Sequence, residues 1–324
     1  MRVELINIPF TDNISSRLDP PLFLLQIAPI FQKENYAVRV NDLNGINRNH
    51  WGFGSCPLYV IYADINSYSV AVEISRMCRE INNKSAIIVC GSGPSKYTGK
   101  YANTRSFNVV IKGEAELSVA NFLTDIIHDV DSVQHVYSEE VRNVNRLPFP
   151  ARNLVEMNTY ARRLDGMRAT MIMGSRGSPF GPTWLCKKLK LFSINRIKNE
   201  VVGVVNKYGI KNFFFGDTTF TFNEQRALDI GKVMANKNLL FGFNDVISEV
   251  KLPLYKELIR LGAREVFINP IGASSQEEVS ELKSQIASET GMRVIVRKDA
   301  KYQDRRGSNN GKGNNNGKQE DSML

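Results

Sequence analysis

Residues 86 to 95 read "AIIVCGSGPS". Five apolar positions in a row leave no face for solvent, which is how a strand buried on both sides of a sheet reads. Two glycines and a proline then mark a turn at its carboxyl end. The same grammar recurs on either side, in "VELINIP" (3–9), "AVRVNDLN" (37–44), "LYVIYADIN" (58–66) and "FNVVIKGE" (107–114). Between these runs lie "PPLFLLQIAPIFQKENY" (20–36), "SVAVEISRMCREIN" (69–82) and "AELSVANFLTDIIHDV" (115–130), whose apolar residues recur at helical spacing. Strands alternating with helices imply right-handed crossovers and a doubly wound parallel sheet of Rossmann-like α/β type. Such sheets bind ligands beyond the carboxyl ends of their strands, where "GSGPS" (91–95) and "KGEAE" (112–116) fall. A glycine pair after a strand is equally compatible with a plain tight turn.

"NRLPFPARNLVEM" (145–157) interrupts the alternation. Its two prolines disfavour helix and mark an extended connector. The expected organisation is a first domain over 1–144, a linker over 145–166, a second domain over 167–299 and a disordered tail over 300–324. The second domain restarts with strand "ATMIMGS" (169–175) and adds "NFFFGD", "LLFGFND", "EVFINPIG" and "RVIVRKD", separated by four helical stretches. Five strands and four helices predict a partial (β/α) barrel, with a flat second sheet as the alternative.

At 324 residues and 42% hydrophobic, the chain can build two cores. No stretch of about 18 apolar residues occurs, so no membrane span is expected. The four cysteines, Cys56, Cys78, Cys90 and Cys186, lack framework spacing and read as reduced thiols of a cytoplasmic protein. Part of the net charge of +9 lies in the Gly/Asn/Lys-rich tail and part in "YARRLDGMR" (160–168) and "CKKLK" (186–190). A basic rim suits an anionic ligand or RNA, although solvated lysines are the commoner reading and nucleic acid is not favoured. His50, His128 and His135 read as surface residues. Nucleophile elbow, P-loop and Cys/His zinc spacing are absent.

One loop looks like a motif with parts missing: "SRGSPFGPTWLC" (175–186), after the first strand of the second domain. With "PPLFLLQIAPIFQKENYAVRVNDLN", "AIIVCGSGPS", "NVVIKGEAELSVANFL", "LPFPARNLVEMNTY", "FFFGDTTFTFN" and "LIRLGAREVFI", it gives the chain, over roughly residues 2 to 298, a resemblance to the cobalamin-binding-domain radical S-adenosylmethionine family. The resemblance implies a cobalamin-binding type of first domain and a truncated radical-enzyme barrel as the second. It also implies a Cys-x-x-x-Cys-x-x-Cys loop whose thiolates hold a 4Fe-4S cluster. Here those three positions are Ser178, Pro182 and Leu185, and Cys186 stands one residue beyond. Serine is a poor iron ligand, and the proline and leucine side chains have no donor.

The resemblance further places a cobalamin-like site at Ser67, Ser69, Gly91, Gly93, Pro94, Gly113, Glu114 and Glu116. Asp217 falls at an S-adenosylmethionine-like site, or else caps the helix near Thr221 or Asn223. Three departures stand out: Ser92 replaces a usual glycine, Gly272 stands where a glutamate helps hold S-adenosylmethionine, and "FTDNISSRLDP" (10–20) lacks the cobalt-ligating histidine. Many radical enzymes of the family also lack that histidine. The expectation is a pseudoenzyme without cluster or radical chemistry, kept as a ligand-binding or protein-interacting chain, with cobalamin as one candidate ligand. The rivals are an active methyltransferase-like enzyme with non-standard cluster ligation, and an RNA-associated protein using its basic rim and tail.

Overall fold

The computed structural model describes residues 1–9, 17–128 and 133–297. The first sheet is parallel throughout. Its strands are β1 (Arg2–Asn7), β2 (Ala37–Asp42), β3 (Leu58–Tyr62), β4 (Ala86–Cys90), β5 (Val109–Ile111) and β6 (Val136–Tyr137), in the order β2-β1-β3-β4-β5-β6. Neighbouring residues of one strand feed opposite cores, as a doubly covered sheet requires. Ile88 and Cys90 pack with Leu24, Phe31 and Phe122 from helices α1 (Leu22–Lys33) and α5 (Ala115–His128). Ile87 and Val89 pack with Ala71, Ile74 and Cys78 of α2 (Tyr68–Ile81) on the other side. The strand order reverses direction between β1 and β3, which makes a crevice at their carboxyl ends.

"GSGPS" is more than a turn. Gly91 ends β4 and two short helices follow, α3 (Ser92–Lys96) and α4 (Thr98–Ala102). β6 was not legible in the sequence; two residues are too few for a period.

The connector is irregular, with single 3-10 turns at Val144–Arg146, Arg152–Leu154 and Met157–Thr159. It is nevertheless anchored. Ala151 N–H donates to Leu25 O at 2.8 Å on α1. The buried Arg152 guanidinium donates to Glu200 Oε1 at 2.7 Å and to Met171 O at 3.0 Å.

The second sheet has the order β14-β13-β12-β11-β8-β7 and curls into half a barrel, so the flat alternative does not hold. β7 (Arg163–Leu164) is antiparallel to β8 (Met167–Ile172). From β8 onward, β11 (Asn212–Phe215), β12 (Leu240–Val246), β13 (Ala263–Asn269) and β14 (Arg293–Val296) add in parallel. Phe213, Phe215, Phe241 and Phe243 face the helices and form one core with Val201, Ile230 and Leu258. These come from α6 (Ile194–Tyr208), α7 (Glu224–Ala235) and α8 (Leu252–Arg260); α9 (Gln276–Thr290) completes the layer. Ser193, Asn223 and Ser275 cap α6, α7 and α9 through side-chain oxygens, and α6 and α9 end on left-handed Gly209 and Gly291. On the opposite face Phe214 meets Phe267 edge to face at 5.0 Å. The Arg162 guanidinium lies 4.2 Å from the Phe214 centroid and makes a two-pronged ion pair with Asp19 of the first domain.

Candidate functional site

The loop after β8 closes on itself through β9 (Ser175–Arg176) and β10 (Lys190–Leu191), a two-residue antiparallel pair. Gly177 makes the closure possible. Its φ is +84°, and an added Cβ would lie 2.6 Å from Lys188 O. Ser178 Oγ accepts from Phe180 N at 3.2 Å, Pro182 is exposed, and Leu185 is half-buried with its carbonyl toward Gly113. Cys186 is buried, and burial pushes its thiol up to about 12, so it is a neutral S–H at physiological pH. Among the described residues no group of three His, Cys, Asp or Glu side chains is placed to hold a metal ion. The donor set of this loop does not fit an iron–sulfur cluster.

What the loop does instead is electrostatic. Arg176 donates to Glu116, to Gln26 Oε1 at 2.6 Å and to Glu114 Oε1 at 3.4 Å. Lys190 pairs with Glu114 and, at 3.3 Å, with Glu140. The side chains of Arg176, Lys190, Glu114 and Glu116 are at most 4% exposed. Two cations from the second domain thus meet two anions from the "KGEAE" turn of the first. Burial works against the Arg176 charge, but Glu116 and Glu114 outweigh it and hold its pKa above the ordinary arginine value. Beside the pair lies a space of about 20 Å³, lined by Phe23, Tyr62, Gly91, Gly113 and Leu185. It is room for a single water.

The other expected positions divide. Gly91 and Gly93 are filled by the chain's own backbone: an added Cβ would lie 2.3 Å from Ala63 O and 2.2 Å from Asp64 O respectively. Pro94 is buried behind them, and Gly113 N–H donates to Ser95 Oγ at 2.8 Å. Ser67 is buried with Pro9 O at 3.5 Å, whereas Ser69 is exposed on the first turn of α2. Asp217 is buried and accepts from Gly174 N at 2.8 Å; burial raises its pKa. It braces the loop rather than capping α7, whose cap is Asn223, with Thr221 bonded to Asp245. His50 is exposed in a 3-10 turn, and His135 bridges Asn108 O and Ala102 O. The His128 side chain and the 300–324 tail lie outside the described residues.

A second feature was not read from the sequence. A cleft of about 390 Å³ opens at the switch point, between Asn7 at the end of β1, Tyr62 at the end of β3, the start of α1, and Met171 and Met173 of the second sheet. Phe23 stacks on Tyr62 at 5.5 Å, and the rest of the lining is Leu18, Leu22, Leu24, two prolines and the polar Asn44 and Asp19. Its ionisable member, Asp19, is already taken by Arg162. Residues so distant in sequence give no local signal; the only hint was the doubly wound order, which predicts a crevice without locating its partner wall.

A doubly wound sheet facing a half-barrel, carboxyl ends together, is a fold found in solved structures of a radical S-adenosylmethionine methyltransferase. The structure is similar to the radical S-adenosylmethionine methyltransferase TsrM from Kitasatospora setae. Against the form with cobalamin and a 4Fe-4S cluster bound, the TM-score is 0.65 at 15% identity, over 91% of this chain and 68% of that one. Against the form with tryptophan substrate and an S-adenosylmethionine analogue, it is 0.64 at 16%, over 91% and 67%. At this identity the likeness is one of fold. In sequence the chain is similar to an uncharacterised methyltransferase of Pyrococcus horikoshii, with 26% identity across 49% of this chain and 39% of the relative. The chain therefore spans well under half of that relative's length. No family model matches.

Proposed function

We propose that this chain is a relative of the radical S-adenosylmethionine methyltransferases that has lost its cluster and radical chemistry, and that it binds a small molecule in the cleft between its domains. The observation that carries the reading is the loop after β8. Its three ligand positions are Ser178, Pro182 and Leu185, and its two buried cations, Arg176 and Lys190, are spent on Glu114 and Glu116. A cluster site needs thiolates facing an open position. A charged seam that holds the loop shut supplies neither. The cleft supports the second half of the reading, since about 390 Å³ of mainly apolar lining lies within the range of small-molecule sites. When bound, cobalamin would supply methyl transfer from cobalt; the positions proposed for it are Ser67, Ser69, Gly91, Gly93, Pro94, Gly113, Glu114 and Glu116. Of these, Gly91 and Gly93 face Ala63 O and Asp64 O, and the two glutamates are held by Lys190 and Arg176, so these residues as placed do not fit its nucleotide tail.

Anaerobic reconstitution with iron and sulfide tests the loss directly. The intact chain should show no thiolate-to-iron absorbance, while the Ser178→Cys/Pro182→Cys/Leu185→Cys variant serves as the comparison that restores donors. A stoichiometric cluster in the unmodified chain, or 5′-deoxyadenosine formed from S-adenosylmethionine after reduction, would return it to the active methyltransferases. Gel filtration after incubation with hydroxocobalamin addresses the cleft: co-eluting colour identifies the ligand, and its absence leaves the cleft to smaller apolar molecules.

A further inference from the structure

The outer half of the same loop carries aromatic rings into solvent. Trp184 is 52% exposed and Phe180 45%. The Lys96 ammonium lies 5.1 Å from the Trp184 ring centroid and 4.9 Å from that of Tyr97, itself 41% exposed. One turn further on, Lys100 Nζ sits 4.1 Å from the Tyr68 centroid. Rings and ammonium groups therefore alternate along one surface: Tyr68, Lys100, Tyr97, Lys96, Trp184. Lys187 and Lys188 extend it, both exposed. None of these four lysines is in an ion pair among the described residues, while the nearby Glu140 is engaged by Lys190. The positive charge is thus available to a partner.

We infer that this surface docks a single-stranded nucleic acid, with bases on Trp184 and Tyr97 and phosphates on the lysines. The interleaving selects that partner. An ammonium over a ring face stays in place when a base stacks beside it, and unpaired bases present π-faces to any ring. A membrane-inserting face would gather its rings centrally and keep charge at the rim; here insertion of Trp184 would drag Lys96 in with it. A duplex hides its base faces, and an acidic protein would answer the lysines but leave the rings idle. The inference is independent of the cluster's loss, because it uses the exposed side of the loop.

Trp51 and Trp184 are the two tryptophans, which makes the test specific. In a Trp51→Phe chain, titration with a twelve-residue adenylate oligonucleotide should quench the Trp184 emission; in the converse Trp184→Phe chain the Trp51 emission should stay unchanged. Four lysine–phosphate contacts predict a log–log salt slope of about −3, hence about fifty-fold weaker binding at 200 than at 50 mM salt. Trp184→Ala should lose about tenfold or more in affinity and Trp184→Phe distinctly less. Three results would overturn the inference: no binding; binding without quenching; or an inorganic polyphosphate of equal charge competing as well as the oligonucleotide, which would leave the rings without a role. A blue shift with anionic vesicles while the oligonucleotide is silent would reassign the surface to membrane.

Discussion

The two sheets meet along one seam, and its two stretches are built on opposite principles. Around Arg176 the contact is charged, buried and closed; around Met171 and Met173 it is apolar and open. In the first stretch every cation has an anion from the other domain, so burial is compensated. In the second the one carboxylate, Asp19, is neutralised from the side by Arg162, and the walls stand apart. The difference separates what holds the domains together from what remains free to bind.

The largest effect should come from breaking the closed stretch. Arg176→Ala leaves Glu116 buried without its cation and should destabilise the chain by about 3–5 kcal/mol in urea unfolding, with Arg176→Met/Glu116→Leu recovering much of that. An unchanged midpoint in the single variant would mean that the seam does not join the domains.

Asp245 sharpens the contrast, because it is a buried acid without a cation. The hydroxyl groups of Thr221 and Tyr255 and the backbone N–H of Val246 donate to its side chain, and burial pushes its pKa up to about 6. The folded pKa lies above the unfolded one, so the folded state holds the proton more tightly. The associated stability is complete below the unfolded pKa near 3.8 and is lost as pH rises through about 6. At about 1.4 kcal/mol per pKa unit, stability should fall by about 2 kcal/mol between pH 4 and pH 7 on this account, and Asp245→Asn should flatten the fall.

Gly91→Ala should cost about 1–3 kcal/mol, since its φ of +113° is left-handed territory and the new Cβ would strike Ala63 O. Gly272→Ala, at φ +92° with open space around it, should cost less. Comparing the two melting temperatures separates backbone strain from collision. The smallest effect on stability belongs to the open stretch: Met173→Leu conserves volume and should cost under about 1.5 kcal/mol. Met173→Trp should instead block uptake of Nile red by the cleft with little change in melting temperature.

Most of the architecture was legible because it is written locally. "LYVIY", "AIIVC" and "NFFF" are continuous apolar runs, and only doubly covered or barrel strands read that way. The residues at the loop's proposed ligand positions, Ser178, Pro182 and Leu185, were read from the sequence as well. The seam was not, because Arg176 and Glu116 lie sixty residues apart and neither belongs to a period. A faint signal existed: the acidic turn "GEAE" in one half and the basic "SRG" and "KKLK" of the other follow strand ends that a two-domain fold turns toward each other. β9 and β10 escaped because a two-residue pairing is set by loop closure at Gly177 rather than by patterning.

The outer edge of β8 has a consequence for topology. Part of that edge is occupied: Ala169 N–H donates to Arg162 O at 3.0 Å, and Met171 O accepts from Arg152. In a complete barrel that margin would be the landing site of the final strand. A strand approaching that margin would meet β7 and the Arg152 guanidinium before it met β8, so among the described residues the sheet is a trough with one lip partly capped.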